Sequence, residues 1–360
     1  MKKLLTLISL MLVLFCVGIF AYQWEEFPGF FKPFESLAMG GVYTTTAQGL
    51  SALVLNPALY EPQGFEMFFY PFVSNNLFSV GSVASQLISN PASLTELASN
   101  TELLNSMLGI HSYTMLFGAG YGDNIGDVSV GGFGALQGSV FWNISLDSLD
   151  SVELGAWLAY YGVVGASMEF DNLSFGASVG VGMNGSVIPT TGSYPLTVDL
   201  LSDPEGALDS IPSDFSNILA SVNKAFFVTS IGAAYDIGSL RLAGSLFVNT
   251  AELLRNTQNT QLYWLTVGAS YNWNILTVAV ELEDVLNQSK SLWRKLNMGA
   301  SVDWDFLELY GGLHAGWLTG GIALDMKFVK IGFASYVTEY SSYAGFTPEQ
   351  KYTITINGNF

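Results

Sequence analysis

Side chains able to do chemistry are few, and their spacing does not suit it. The chain holds two histidines, His111 and His314, and one cysteine, Cys16. Neither histidine has a cysteine, a second histidine or paired carboxylates at ligand spacing, so the sequence carries no metal motif. There is no G-x-S-x-G stretch, and no serine, histidine and aspartate whose spacing reads as a nucleophilic triad. Glu281-Leu282-Glu283-Asp284 is a dense carboxylate run at the end of a predicted strand. There it reads as a solvated mouth rather than an acid–base pair or a calcium loop. The residues point away from an enzyme and imply no cofactor.

The elements that would position any site follow from composition and period. Of 360 residues, 50% are apolar and 12% charged, about half the charge of a soluble domain, and 38 are glycine. Mean hydropathy is +0.37. Twelve basic against 30 acidic residues give −18, which excludes a nucleic-acid partner because phosphate must be neutralised. Lys2 and Lys3 precede an apolar run from Leu4 to Phe20 that ends at Ala21, the pattern of a leader cleaved after Ala21. Phe15 before Cys16 is too bulky for lipid attachment. Cleavage removes the one cysteine, so no disulfide braces what remains. Residues 1–21 are thus read as leader, 22–63 as a separate N-terminal segment and 64–360 as the body.

The body is strands. From Val128 to Leu146, even positions are apolar or glycine, while odd ones include Ser129, Gln137, Ser139, Asn143 and Ser145. Period two puts one face toward lipid and the other inward. A two-residue hairpin switches the apolar face between even and odd numbers. That switch occurs at Asp171-Asn172, at Gly238-Ser239, between Trp273 and Leu276, between Trp304 and Leu307, and between Phe328 and Ile331. The predicted strands are 65–73, 110–121, 128–146, 152–170, 173–187, 225–237, 240–248, 262–273, 276–283, 292–304, 307–315, 320–328, 331–338 and 352–360. Fourteen is an even number, as bacterial outer-membrane barrels have, with short turns on the periplasmic rim and long loops outside. Every short turn in this reading falls on one side.

Phe170, Trp273, Trp304, Phe328 and Phe360 end strands on that side and form an expected interfacial girdle. Arg294, at apolar parity, is expected to snorkel at the outer rim. Inward parity gives Glu153, Glu169, Arg241, Glu281, Lys295, Asp303, Glu308, Asp325 and Lys327 as lumen residues, either bracing the interior or meeting a solute. Small inward residues from Ser174 to Gly182 leave room there. The final alternation Tyr352, Ile354, Ile356, Gly358, Phe360 resembles the C-terminal β-signal read by the outer-membrane assembly machinery.

Between leader and first strand stand Ser36-Leu37-Ala38-Met39-Gly40-Gly41-Val42-Tyr43, then Ser51-Ala52 and Asn56-Pro57-Ala58. This stretch resembles the N-terminal signature of the FadL superfamily of outer-membrane barrels, PorV-like and TraF-like proteins included. The resemblance implies a fourteen-stranded transmembrane barrel whose N-terminal segment folds into the lumen as a hatch. Met39, Gly40, Gly41, Tyr43, Asn56 and Pro57 would belong to that hatch. Physically, Gly40-Gly41 suits close approach or positive φ, and Asn56-Pro57 suits a turn; a surface turn capping the barrel is the plainer alternative.

Two outer connections carry helical spacing, around Pro91–Leu104 and from Asp203-Pro204 toward Val222. Such helices either pack on the rim or shelter an apolar entrance. The expected function is passive uptake of small hydrophobic molecules across the outer membrane. Expected partners are lipid, the assembly machinery and a small apolar ligand. An assembly, secretion or scaffold role through protein contacts is the alternative.

Overall fold

The computed structural model describes residues 30–75, 109–144, 152–186, 224–250, 263–288, 290–339, 343–345 and 348–360. The predicted leader with its Ala21 cleavage site, and the two connections expected to carry helices, lie outside the described residues.

Fourteen strands form one closed antiparallel sheet in sequence order, with the last paired to the first. They are β1 (Gly64–Ser74), β2 (Gly109–Ile125), β3 (Val128–Ile144), β4 (Val152–Phe170), β5 (Leu173–Ser186), β6 (Lys224–Ile237) and β7 (Leu240–Asn249). The second half is β8 (Tyr263–Trp273), β9 (Leu276–Leu282), β10 (Leu296–Trp304), β11 (Leu307–His314), β12 (Trp317–Asp325), β13 (Val329–Glu339) and β14 (Pro348–Asn359). Closure leaves no strand edge unpaired, which a membrane-spanning sheet requires. The seam runs from Glu66 opposite Asn359 to Ser74 opposite Lys351.

Alternation places side chains as period two predicts. On β3, Leu136 points outward and is exposed while Gln137 and Ser139 are fully buried inside. Phe170, Trp273, Trp304, Phe328 and Phe360 are all more than half exposed and stand on the short-turn rim. Phe360 also closes the seam: its N–H donates to Phe65 O (2.8 Å), its carbonyl accepts from Phe65 N–H (3.0 Å), and the two rings lie 6.5 Å apart. Deletion of Phe360, or Phe360→Ala, is therefore expected to lower the amount of heat-modifiable barrel in the membrane fraction without reducing export. Unchanged barrel levels would remove the terminal residue from assembly.

The structure corrects several boundaries. Strand β2 runs to Ile125, so Gly126-Asp127 is a further two-residue hairpin. Ala315-Gly316, both at positive φ, join β11 to β12 on the long-connection rim, so the short turns are not confined to one side. The β12–β13 turn comprises Met326–Phe328 rather than Val329-Lys330; Asp325 Oδ1 accepts from Lys327 N–H (2.9 Å) and fixes it. Finally, residues 292–295 form a short helix before β10, with Ser291 Oγ accepting from Arg294 N–H.

Candidate functional site

Inside the strands lies the N-terminal segment, with helix α1 (Phe34–Ala38), helix α2 (Gly49–Leu55) and a 3-10 turn at Pro57–Leu59. Helix α1 contacts β11 to β14, and α2 with the 3-10 turn contacts β2 to β7. Most of residues 30–60 are buried.

A chain folded into a lumen must find partners for its backbone polar groups. Inward side chains supply them. Glu281 Oε2 accepts from Tyr43 N–H (3.0 Å) and Thr44 N–H (2.6 Å). Glu66 Oε2 accepts from Leu50 N–H (3.1 Å). Thr319 Oγ1 donates to Ala38 O (2.9 Å), Ser167 Oγ to Tyr60 O (2.7 Å), and Ser178 Oγ to Leu53 O. Tyr43 OH bonds Thr266 Oγ1 at 2.8 Å.

Close approach explains the small inward residues. A Cβ on Gly176 would run into the carbonyl of Pro57, and one on Gly232 into Asn56 Oδ1. Asn56 is wholly buried; its Nδ2 donates to Thr44 O (2.6 Å) and its Oδ1 accepts from Ala58 N–H (3.2 Å). On the opposite wall, Met39 and Gly40 press on Gly299 and Gly312. Gly40 and Gly41 have φ of 72° and 84°, and a Cβ on Gly40 would meet the backbone of Met298 and Leu313.

Ion pairs tie the segment further. Lys32, 1% exposed, bonds Glu283 Oε2 at 2.8 Å, and Asn297 Nδ2 donates to the same oxygen (3.1 Å). Lys330 Nζ lies 2.7 Å from Glu308 and 3.2 Å from Glu35 of α1, over the Phe34 ring.

The inward faces also carry an aromatic band that the polar reading of the lumen overlooked. Phe31 lies 5.4 Å from Phe68, 5.9 Å from Tyr70 and 6.2 Å from Phe133. From there the rings continue through Tyr161 to Phe226 and, along β1, through Phe72 to Tyr336. Across the lumen Phe30 contacts Phe247 (4.9 Å), which contacts Trp264 (5.6 Å). Inward parity applied to the aromatics as well as the charges would have found them.

Below the segment, on the short-turn side, a cavity of about 700 Å³ is bounded by polar side chains of the strands and by the underside of α1 and α2. Of the predicted lumen residues, Arg241, Asp303, Glu308 and Asp325 line it. Arg241 is held there by a bidentate pair with Asp236 (2.7 and 2.8 Å). Glu281 sits higher, against the segment. Glu169 is exposed at the end of β4. The side chain of Glu153 lies outside the described residues. Lys295 is in the short helix and donates to Val285 O (3.1 Å), away from the cavity. Lys327 is exposed in the β12–β13 turn, so the inward lysine is Lys330. Arg294 does not snorkel: it is 5% exposed and its Nη2 donates to Glu339 O (2.7 Å). Period two misplaced these residues because 292–295 is helical and the turn lies earlier than predicted.

No family model matches the chain, and no curated protein sequence matches it. Solved structures do match by fold. A mutant of the TodX monoaromatic hydrocarbon channel matches with TM-score 0.53 at 12% identity, over 94% of this chain and 100% of that one. A second TodX mutant gives 0.53 at 14%, over 91% and 99%. TodX itself, a toluene transporter of Pseudomonas putida, gives 0.51 at 13%, over 96% and 100%. The fold is that of these channels along nearly the whole chain.

Proposed function

We propose that the protein is an outer-membrane channel of FadL type for passive uptake of small hydrophobic molecules, with residues 22–63 as its hatch. The aromatic band carries this reading. A barrel interior that only needed bracing would be served by the hydroxyls and carboxylates already present. A connected row of rings, buried against the segment here, would instead offer an apolar solute successive contacts as the segment yields, each worth about 0.5–1.5 kcal/mol beyond burial. Contacts of that size hold a solute long enough to advance and release it again.

The path would lead from the long-connection side along the rings to Phe30 and Phe31, where the hatch blocks it. Passage requires the hatch to yield locally. The bonds most suited to yielding are its direct hydrogen bonds to inward hydroxyls, at about 0.5–1.5 kcal/mol each. Fold shared with a hydrocarbon channel supports the same direction, and the exposed aromatic girdle supports residence in a membrane. The leader expected at residues 1–21 would deliver the chain for export.

The test is uptake of radiolabelled toluene into outer-membrane vesicles, whose lipopolysaccharide leaflet slows apolar solutes. Vesicles carrying the protein are expected to take up toluene several-fold faster than vesicles without it, while sucrose stays excluded from both. Equal toluene rates would overturn the reading.

A further inference from the structure

We propose that the short-turn cavity is a binding site for organic ammonium ions with an aromatic tail, so that the channel admits neutral and cationic aromatics and turns away carboxylates. This deepens the uptake reading by naming which apolar solutes the inner side accepts.

Charge is the first observation. Among the described residues, Glu35, Glu61, Glu66, Asp303, Glu308 and Asp325 line the cavity, against Arg241 and Lys330. Lys330 is already shared by Glu35 and Glu308, and Arg241 by Asp236. A concave wall of net negative charge within a protein focuses its field and raises the local concentration of the opposite charge.

The second observation is independent of the count. Glu66 is 8% exposed, and its Oε2 is occupied by Leu50 N–H. Its Oε1 has no hydrogen-bond partner and lies just behind the cavity surface, so a donor in the cavity meets it once the carboxylate turns outward. An acceptor left unpaired there costs free energy that a donor would recover, and an ammonium supplies such a donor with charge.

The third is what stands beside that oxygen. Glu66, Phe68 and Tyr70 occupy successive inward positions of β1, and Phe68 and Tyr70 stack at 5.6 Å. All three line the cavity together with Phe31. A carboxylate at the edge of an aromatic shelf is complementary to a molecule with an ammonium at one end and a ring at the other. A benzoate presented in the same way would place its charge against Glu66.

Three probes of one ring and similar size separate charge from shape: benzylammonium, benzyl alcohol and benzoate. Calorimetry on the purified full chain at pH 7 and low salt is expected to show benzylammonium binding at least tenfold more tightly than benzoate. Raising salt to about 0.5 M should shrink the difference, because the Debye length falls well below the cavity's width. Glu66→Gln should weaken benzylammonium about tenfold and benzyl alcohol, which brings a donor without charge, by much less. Asp303→Asn with Asp325→Asn, both at the open end, should reduce it several-fold in a barrel of unaltered heat-modifiability. Benzoate binding as tightly as benzylammonium, or both variant proteins binding benzylammonium like wild type, would overturn the proposal. Vesicle uptake of benzyl alcohol reports on the channel reading separately. Its absence, with the binding asymmetry intact, would remove transport and leave the ammonium site standing.

Discussion

Gly40→Val is expected to turn a closed barrel into a conducting one. In planar bilayers the variant should show steady single-channel openings that wild type shows rarely, a rise of tenfold or more in open time. Two penalties act together at this position. A β-branched residue at φ of 72° is strained by about 1–3 kcal/mol. The new Cβ would also meet the backbone nitrogen of Leu313 at 2.7 Å and that residue's carbonyl at 2.6 Å. Those atoms belong to paired strands and cannot give way cheaply, so the segment must move instead, adding about 1–3 kcal/mol of overpacking cost. The barrel keeps its own ladder and should remain heat-modifiable. Gly238→Ala is the control, since Gly238 also has positive φ (63°) yet a Cβ there meets nothing within 4 Å. If both variants conduct alike, local strain rather than displacement of the segment is responsible.

Breaking the Lys32–Glu283 pair should have a comparable effect by another route. Lys32→Met leaves Glu283 beside Glu281 with its buried countercharge gone, a loss of about 3–5 kcal/mol when one partner of a buried pair is removed. Amide hydrogen exchange in residues 30–60 is expected to speed up by roughly two to three orders of magnitude, since each 1.4 kcal/mol is a factor of ten. Replacing both partners, Lys32→Met with Glu283→Met, should restore most of the protection, because no charge is then stranded. Equal exchange in the single and double variants would show that the pair does not anchor the segment.

Most of the barrel was legible because lipid and lumen impose opposite demands on alternate residues. The hairpin at Gly238-Ser239 and the strand ends at Trp273 and Trp304 fall where parity puts them. Errors arose where local hydrogen bonding overrides period two. Ser291 caps a helical turn that carries Arg294 inward, and Asp325 forms a turn that exposes Lys327 and leaves Lys330 in the lumen. Ala315-Gly316 escaped because its flanking strands are short and their glycines blur the alternation.

The site was legible in part. The glycine pair and Asn56-Pro57 drew attention by type alone. Lys32 and Glu66 did not, since Lys32 lies in a segment without period and Glu66 near the start of a strand. Their roles depend on partners 251 and 16 residues away. Such pairings are a property of the closed barrel, not of any local pattern.

A reversible lock on the segment shows whether solute crosses only when the segment moves. A Cβ on Gly268 would stand 3.4 Å from Cγ2 of Thr45, close to the span that a disulfide requires. Thr45→Cys with Gly268→Cys should therefore join the segment to β8 on oxidation, and Cys16 falls within the predicted leader. Toluene uptake by outer-membrane vesicles carrying this variant is the measurement. Uptake is expected at the level of protein-free vesicles when oxidised and near wild type after dithiothreitol. Full uptake by the oxidised, demonstrably cross-linked barrel would contradict that expectation, because the solute would then be crossing without any movement of the segment.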